Sequence, residues 1–438
     1  MRKISVILLV FLALSVRLMA GYRTQVLYPD QIKTLRARYA DRLETANNRI
    51  APERPFLVLQ NGIVDHSDPH NQLEISFDEM SHNVHQYTYT VLHLNSDRTE
   101  SSLNSSEYVR GFTTADIIYY EQSVNTSLDY THYSFLFPNE EMTLTASGNY
   151  AIQIYEDGDK NKTIAWVCFS VVEPQVKVAA HVVSQTDIEY NGRYQQLEAD
   201  IVLPKTRTGN ANPGDEYWIC VQQNGRTDNE VVRPKMSYIE PQRIRYTHCQ
   251  DLIFEGGNEY RRFDAFSTYM AGENIYRIAR DGTDYHAMLE PDALRNKQIY
   301  IHEPDADGQY IVNAERTLTD VETEAEYMYV HWLLRADKPI FEGNIYVAGD
   351  LFYNRYSSDN RMLYDAEEKC YYLTALIKQG GYDYQYQLVE KGTQKATLLK
   401  TEGSHWETEN EYTVYVYRRP FGSRYDQLVG LQVIHSAH

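Results

Sequence analysis

Residues 344–389 read NIYVAGDLFYNRYSSDNRMLYDAEEKCYYLTALIKQGGYDYQYQLV, the cleanest β pattern in the chain. From Cys370 onward, Tyr371, Leu373, Ala375 and Ile377 share one face of a strand and Cys370, Tyr372, Thr374 and Leu376 the other. Both faces are largely apolar or aromatic, so this strand is expected to be buried on two sides. After Gly380 and Gly381, read as a turn, Tyr382, Tyr384, Tyr386 and Leu388 alternate with Asp383, Gln385, Gln387 and Val389. The polar face of that second strand is expected to meet water. A two-sided strand beside a one-sided strand points to an antiparallel sandwich rather than to a parallel α/β sheet.

The same grammar extends outward. Leu73, Ile75 and Phe77 alternate, residues 87–92 are rich in Tyr, Thr and Val, and residues 150–155 and 163–172 flank the turn signal at 157–161. Further strands are expected at 176–183, 195–203, 217–222, 300–302, 310–313, 327–334 and 406–417, with hairpin turns at Asn224-Gly225 and Asp281-Gly282. One helical pattern stands apart: Leu35, Tyr39 and Leu43 recur every fourth residue within 33–46, before Pro52 and Pro55.

A chain of 438 residues exceeds one hydrophobic core, and its length favours about three domains. Arg2 and Lys3 precede an apolar run over 4–16, and Ala20 stands before Gly21, the layout of a cleavable secretory signal. The run is shorter than the roughly 20 residues a membrane span needs. The expected fold is therefore all-β: a signal peptide over 1–20, a short helical or extended N-terminal arm over 21–56, and tandem antiparallel β-sandwiches of immunoglobulin-like or early-set type over 57–173, 174–320 and 321–438.

Loss of the signal would remove Arg2, Lys3 and Arg17 and take the net charge from −19 to −22. Such a surface repels nucleic acid and anionic membranes, so neither nucleic-acid binding nor membrane insertion is expected. Tyrosine is the outlier, 38 residues against 13 phenylalanines. It suits half-buried strands, where the ring packs and the hydroxyl stays wet.

Searching for chemistry yields little. The GxSxG, HExxH, P-loop and Rossmann patterns are absent, and no enzyme, catalytic residue or cofactor is expected. Asp65, His66, Asp68 and His70 form the most metal-like cluster, but a polar, Pro-containing loop accounts for them. Asp305, Asp307 and Gly308 resemble the start of a calcium loop whose closing acid would be Arg316, so that match fails. None of Cys168, Cys220, Cys249 and Cys370 forms a CxxC pair; Cys220 with Cys249 is the one disulfide that would fall inside a single expected domain.

An ordered set of stretches carries a family resemblance over nearly the whole chain after residue 20. It comprises His93-Leu94-Asn95-Ser96-Asp97, Glu107-Tyr108-Val109-Arg110-Gly111-Phe112, Tyr130-Thr131-His132-Tyr133, Ser147-Gly148-Asn149-Tyr150, Gln223-Asn224-Gly225-Arg226, residues 257–264, Lys378-Gln379-Gly380, Thr408-Glu409-Asn410 and residues 425–430. Together they resemble the plug protein of the type 9 secretion system, with Leu94 and Arg98 standing where that pattern would carry a cysteine and a tryptophan. The resemblance implies a non-enzymatic periplasmic protein, associated with the outer membrane, that binds the giant outer-membrane β-barrel translocon and seals it when no cargo is engaged. The competing reading is a periplasmic or surface glycan-binding sandwich. It requires two or more exposed, aligned rings among Tyr353, Tyr356, Tyr364, Tyr382 and Trp406.

Overall fold

A computed structural model of the chain describes residues 21–40, 54–205 and 212–436. The expected signal peptide, and residues 41–46 of the helical pattern, lie outside these. The regular structure of the described chain is almost all strand, arranged as paired antiparallel sheets around separate apolar cores. Among the described residues, no helix is long and apolar enough to cross a membrane.

The first sandwich sets a sheet centred on Gly148–Glu156, Thr163–Val172 and Tyr87–Leu94 against a sheet ordered Ile32–Tyr39, Leu73–Glu79, Thr131–Phe137, Tyr119–Gln122. Alternation explains the core directly. Leu73, Ile75 and Phe77 point inward with Tyr133, Phe135 and Phe137 from the neighbouring strand, and all but Phe135 are fully buried. Phe77 and Tyr133 stack at 5.2 Å between ring centroids.

The described part of the N-terminal segment over 21–40 is neither a separate arm nor helical. Gln25–Val26 pairs with Thr163–Val172 and Ile32–Tyr39 pairs with Leu73–Glu79, so both belong to the first sandwich. A spacing of four fits a strand face as well as a helix face, and Leu35 and Tyr39 are buried on one strand face. Ile32 joins them despite its opposite parity because the ladder shifts register between Lys33 and Arg36, with Thr34 at φ 52°.

The remaining two sandwiches are nested, which corrects the expected division at residue 320. The second pairs the sheet of Lys177–Val183, Tyr194–Val202, Arg243–Tyr246 and Tyr238–Glu240 with the sheet of Val231–Val232, Tyr217–Gln223, Glu411–Arg418 and Gln427–His435. The last two strands, expected in the third domain, thus return to fill the second core with Tyr412, Val414, Val416 and Val429. The third sandwich lies between, built from strands starting at Arg261–Asp264 and ending at Ala396–Thr397. Residues 300–302 form no strand, while the turns at Asn224-Gly225 and Asp281-Gly282 do reverse the chain between paired strands.

The stretch 344–389 changes its reading here in two ways. Gly380–Glu390 does not hairpin onto Cys370–Lys378; the two strands lie in opposite sheets of the third sandwich, and the glycines carry the crossover. A Cβ at Gly380 would stand 2.2 Å from the Ile311 carbonyl oxygen, so the close approach requires glycine. Burial is also reversed. Tyr372 and Thr374 face solvent, whereas Asp383, Gln385 and Gln387 are buried, because the polar face of Gly380–Glu390 is covered by the connection from the second sandwich at Asn258 and by loops of the third at Ala306 and Tyr356. Gln385 donates to the Asn258 carbonyl at 2.6 Å and Asp383 accepts from the Ala306 amide, so the buried polar groups find partners.

Candidate functional site

Among the described residues, the three junctions between sandwiches gather the buried charged and polar groups. The first joins sandwich one to sandwich three through Lys378, which ends the strand Cys370–Lys378 and is fully buried. Its Nζ lies 2.6 Å from Asp78 Oδ2 and 2.6 Å from the Glu322 carbonyl oxygen, and 4.4 Å from the centroid of the Tyr130 ring. Asp78 also accepts from the Tyr327 hydroxyl at 2.6 Å and contacts His132 Nδ1 at 2.6 Å. The Tyr130 hydroxyl donates to the Ala325 carbonyl at 2.8 Å, and Arg36 pairs with Glu322. Burial opposes charge on Asp78 and Glu322, yet Lys378 and the His132 hydrogen bond at Asp78, and Arg36 at Glu322, outweigh it and hold both carboxyls below their usual range.

The second junction joins sandwich one to the returning C-terminal strands. Asp426 accepts from the Ser96 amide and hydroxyl at 2.9 and 2.8 Å, and the Tyr417 hydroxyl donates to Asn149 at 3.0 Å. Arg98 reaches Glu230 at 3.0 Å, and Leu94 is buried, so the two positions that depart from the family pattern are both accommodated.

At the third junction, Arg54 bonds Asp350 at 2.6 Å, Glu411 at 3.1 Å and the carbonyls of Asn224 and Asp307. One guanidinium of the first sandwich, just ahead of its strand Leu57–Gln60, therefore holds the other two. Nearby, Glu402 is fully buried between Arg261 and Arg295 at 2.9 and 2.7 Å and accepts from the Tyr386 amide at 2.9 Å. Burial raises its carboxyl pKa, but the two arginines prevail and draw it down to about 2.

Beside Arg54, Asp307 behaves oppositely. Burial, then the charge of Glu411, pushes its pKa up to about 7, with Arg54, Glu409, Asp305 and His435 also facing it. A carboxyl raised in the folded state contributes most below its unfolded value near 3.8, and that contribution is lost as pH rises through 7. Asp307→Asn is therefore expected to be neutral at pH 4 and to stabilise by about 2–4 kcal/mol at pH 8. Asparagine tolerates the φ of 50° at this turn. Denaturant titrations of both proteins at the two pH values measure it; an equal difference at both would refute it.

Between the sandwiches lie a cavity of about 300 Å³ bounded by Arg23, Arg54, Arg98, Tyr310 and Tyr415, and one of about 440 Å³ between Lys33 and the Tyr329–Thr374 region. Both are seams between sandwiches, and in the first Arg54 and Arg98 are spent on Asp350 and Glu230.

The remaining sequence candidates fall away from any common site. Asp65 caps the Ser67 amide and Asp68 caps a short 3-10 turn at residues 69–71. Among the described residues, no group of three or more His, Cys, Asp or Glu is placed to hold a metal. Asp157 and Gly158 form the tip between Gly148–Glu156 and Thr163–Val172. All four cysteines are free thiols, Cys220 and Cys249 included. None of the five candidate sugar-binding rings is exposed: Tyr353 bonds the Leu35 amide, Tyr356 bonds Gln387, Tyr364 bonds the Ala336 carbonyl, and Tyr382 is buried. Local sequence pattern does not single out Lys378 or the junction acids, because their partners are remote in the chain, 300 residues away for Lys378 and Asp78 and 357 for Arg54 and Glu411.

These features define a class: a fused body of three antiparallel β-sandwiches whose specialised residues serve domain–domain contact. Residues 53–173 match the family model described as the type 9 secretion system plug protein 1st domain. A crystal structure of a hypothetical protein from Parabacteroides merdae ATCC 43184 is 35% identical, superposes with a TM-score of 0.87, and is matched over 95% of this chain and 100% of its own. A biofilm-associated protein BSP domain, 6% identical over 95% of this chain and 60% of its own, superposes with a TM-score of only 0.16 and carries no argument. No curated protein matches. The chain belongs to the type 9 secretion system plug protein family.

Proposed function

We propose that this chain is a non-enzymatic plug that binds the periplasmic mouth of the giant outer-membrane β-barrel translocon of the type 9 secretion system and closes it when no cargo is engaged. The observation that carries the reading is the buried Asp78–Lys378 contact, supported by Arg54 and Asp426 at the other junctions. An occluder has to keep a fixed shape across a wide opening. Three sandwiches joined by one fully desolvated ion pair and by partly buried charged contacts at the other junctions separate only by exposing unpaired charge, which disfavours hinge motion. Family membership supports the association with this secretion system, a periplasmic location at the outer membrane, and a structural rather than catalytic role. The glycan-binding reading loses its support, since its candidate rings are packed or hydrogen-bonded.

Deleting the gene in a strain that still makes the barrel is expected to raise outer-membrane permeability to large hydrophilic antibiotics. Affinity recovery of the tagged protein from detergent-solubilised outer membranes is expected to bring the barrel with it. Unchanged permeability, or recovery without the barrel, would count decisively against closure.

A further inference from the structure

Sheet edges in this protein are mostly guarded. Ile32–Tyr39 carries Lys33, Arg36 and Arg38 with a bulge, and lies against the third sandwich. Ile275–Asp281 carries Arg277, Arg280 and a bulge. Lys177–Val183 starts on a lysine and donates its Ala180 amide to Gln432 across the sandwich. Such charges and irregularities are the usual means of keeping an edge from pairing with another chain.

The edge strand Tyr119–Gln122 of the first sandwich has none of these. It holds no Lys, Arg or Pro, pairs in unbroken register with Thr131–Phe137, and is exposed along its whole length. Apolar side chains are prominent here: Tyr119 is 69% exposed, Ile118 just ahead of the strand is 71% exposed, and Leu136 on the adjoining strand lies on the same face as Tyr119. The hydrogen-bonding side is open as well. Just past the strand the Ser123 amide donates to the Tyr130 carbonyl. In an antiparallel ladder, bonding residues alternate, so Glu121 and Tyr119 pair with Thr131–Phe137 while Tyr120 and Gln122 aim N–H and C=O outward. Around the edge, Asp116, Glu121, Glu140 and Glu141 are all exposed.

We propose that this open edge takes up an extended strand from the periplasmic side of the translocon barrel, alternating apolar with Lys or Arg residues, by β-strand addition. The inference rests on the plug reading above and assigns it a contact. Backbone groups of Tyr120 and Gln122 supply the ladder, Ile118, Tyr119 and Leu136 supply the apolar footing, and the acidic rim selects a basic strand over the acidic surface of another copy of this chain.

The test uses tagged full-length protein recovered from detergent-solubilised outer membranes. Tyr120→Pro removes an outward N–H without breaking the existing ladder, and the pair Ile118→Lys with Tyr119→Lys puts two cations beside a basic strand. Each variant is expected to reduce co-recovered barrel by about tenfold or more, the effect of losing roughly 1.4 kcal/mol of binding. A photocrosslinking residue at Tyr119 is expected to link to the barrel, and one at Tyr238 on another edge is not. Should the proline variant fail to fold, the lysine pair, which alters only exposed side chains, decides the matter. Wild-type recovery of the barrel with no loss in the folded variants overturns the edge and leaves the plug reading standing. Crosslinks to lipid or to an unrelated protein also overturn it, and failure of the wild type to recover the barrel overturns both.

Discussion

Lys378→Met is expected to lower the stability of the protein by about 3–5 kcal/mol, the cost of breaking a buried ion pair from one side. Methionine nearly fills the volume, so the loss is electrostatic rather than a cavity. It strands Asp78, a fully buried carboxylate left with His132 and the Tyr327 hydroxyl, and leaves the Glu322 carbonyl without its ammonium donor. Asp78→Asn combined with Lys378→Met removes both charges and is expected to destabilise by less than the sum of the single substitutions. Chemical denaturation of the four proteins measures this cycle at pH 7. A single-variant loss below about 1 kcal/mol would mean that solvent reaches the pair and that the junction is not the rigid contact inferred here. Because the Asp78 pKa is depressed in the folded state, its contribution holds above the unfolded value and fades as pH falls through the folded one.

How far the sequence could be read follows from the range of the forces involved. Local alternation placed most strands correctly: Tyr217–Gln223, Tyr327–Arg335 and Cys370–Lys378 begin where the pattern predicts and end within a residue or two. Alternation cannot say which polar face is wet. Asp383, Gln385 and Gln387 look like a solvent face until Ala306 and Asn258, remote in sequence, cover them. Nor can it say which strand pairs with which: the strand expected at 406–417 falls to the sequence-adjacent sandwich, although Glu411–Arg418 pairs with Tyr217–Gln223. The Leu35–Tyr39 spacing failed differently, being common to the periods of a helix face and a strand face. Junction residues were the least legible. Lys378 sits in the quoted stretch itself, yet a lysine at a strand end ordinarily reaches water, and only the docking of the first sandwich buries it. The ordered family stretches did contain it, alongside Asn149 and Asp426 of the second junction.

Ending the chain at Glu409 is expected to unfold the second sandwich and spare the third, the reverse of what a division at residue 320 implies. The deletion removes Glu411–Arg418, a central strand, and Gln427–His435 beside it, leaving Tyr217–Gln223 paired only with the two-residue strand Val231–Val232. Tyr412, Val414, Val416 and Val429 leave the second core, each of them fully buried. At roughly 1.5–3 kcal/mol per side chain, their loss amounts to about 6–12 kcal/mol, comparable to the whole stability of a typical domain. The third core, from Phe263 to Leu388, keeps every strand that builds it, and Glu402 keeps Arg261 and Arg295. Hydrogen exchange followed by peptide mapping should show protection lost over residues 177–255 and retained over 261–397. Protection retained over 177–255, or lost equally from both regions, would refute the nested arrangement as the unit of stability. The junction of sandwich one with the C-terminal strands should fail together with the second sandwich, since the deletion also removes Tyr417 and Asp426, the partners of Asn149 and Ser96.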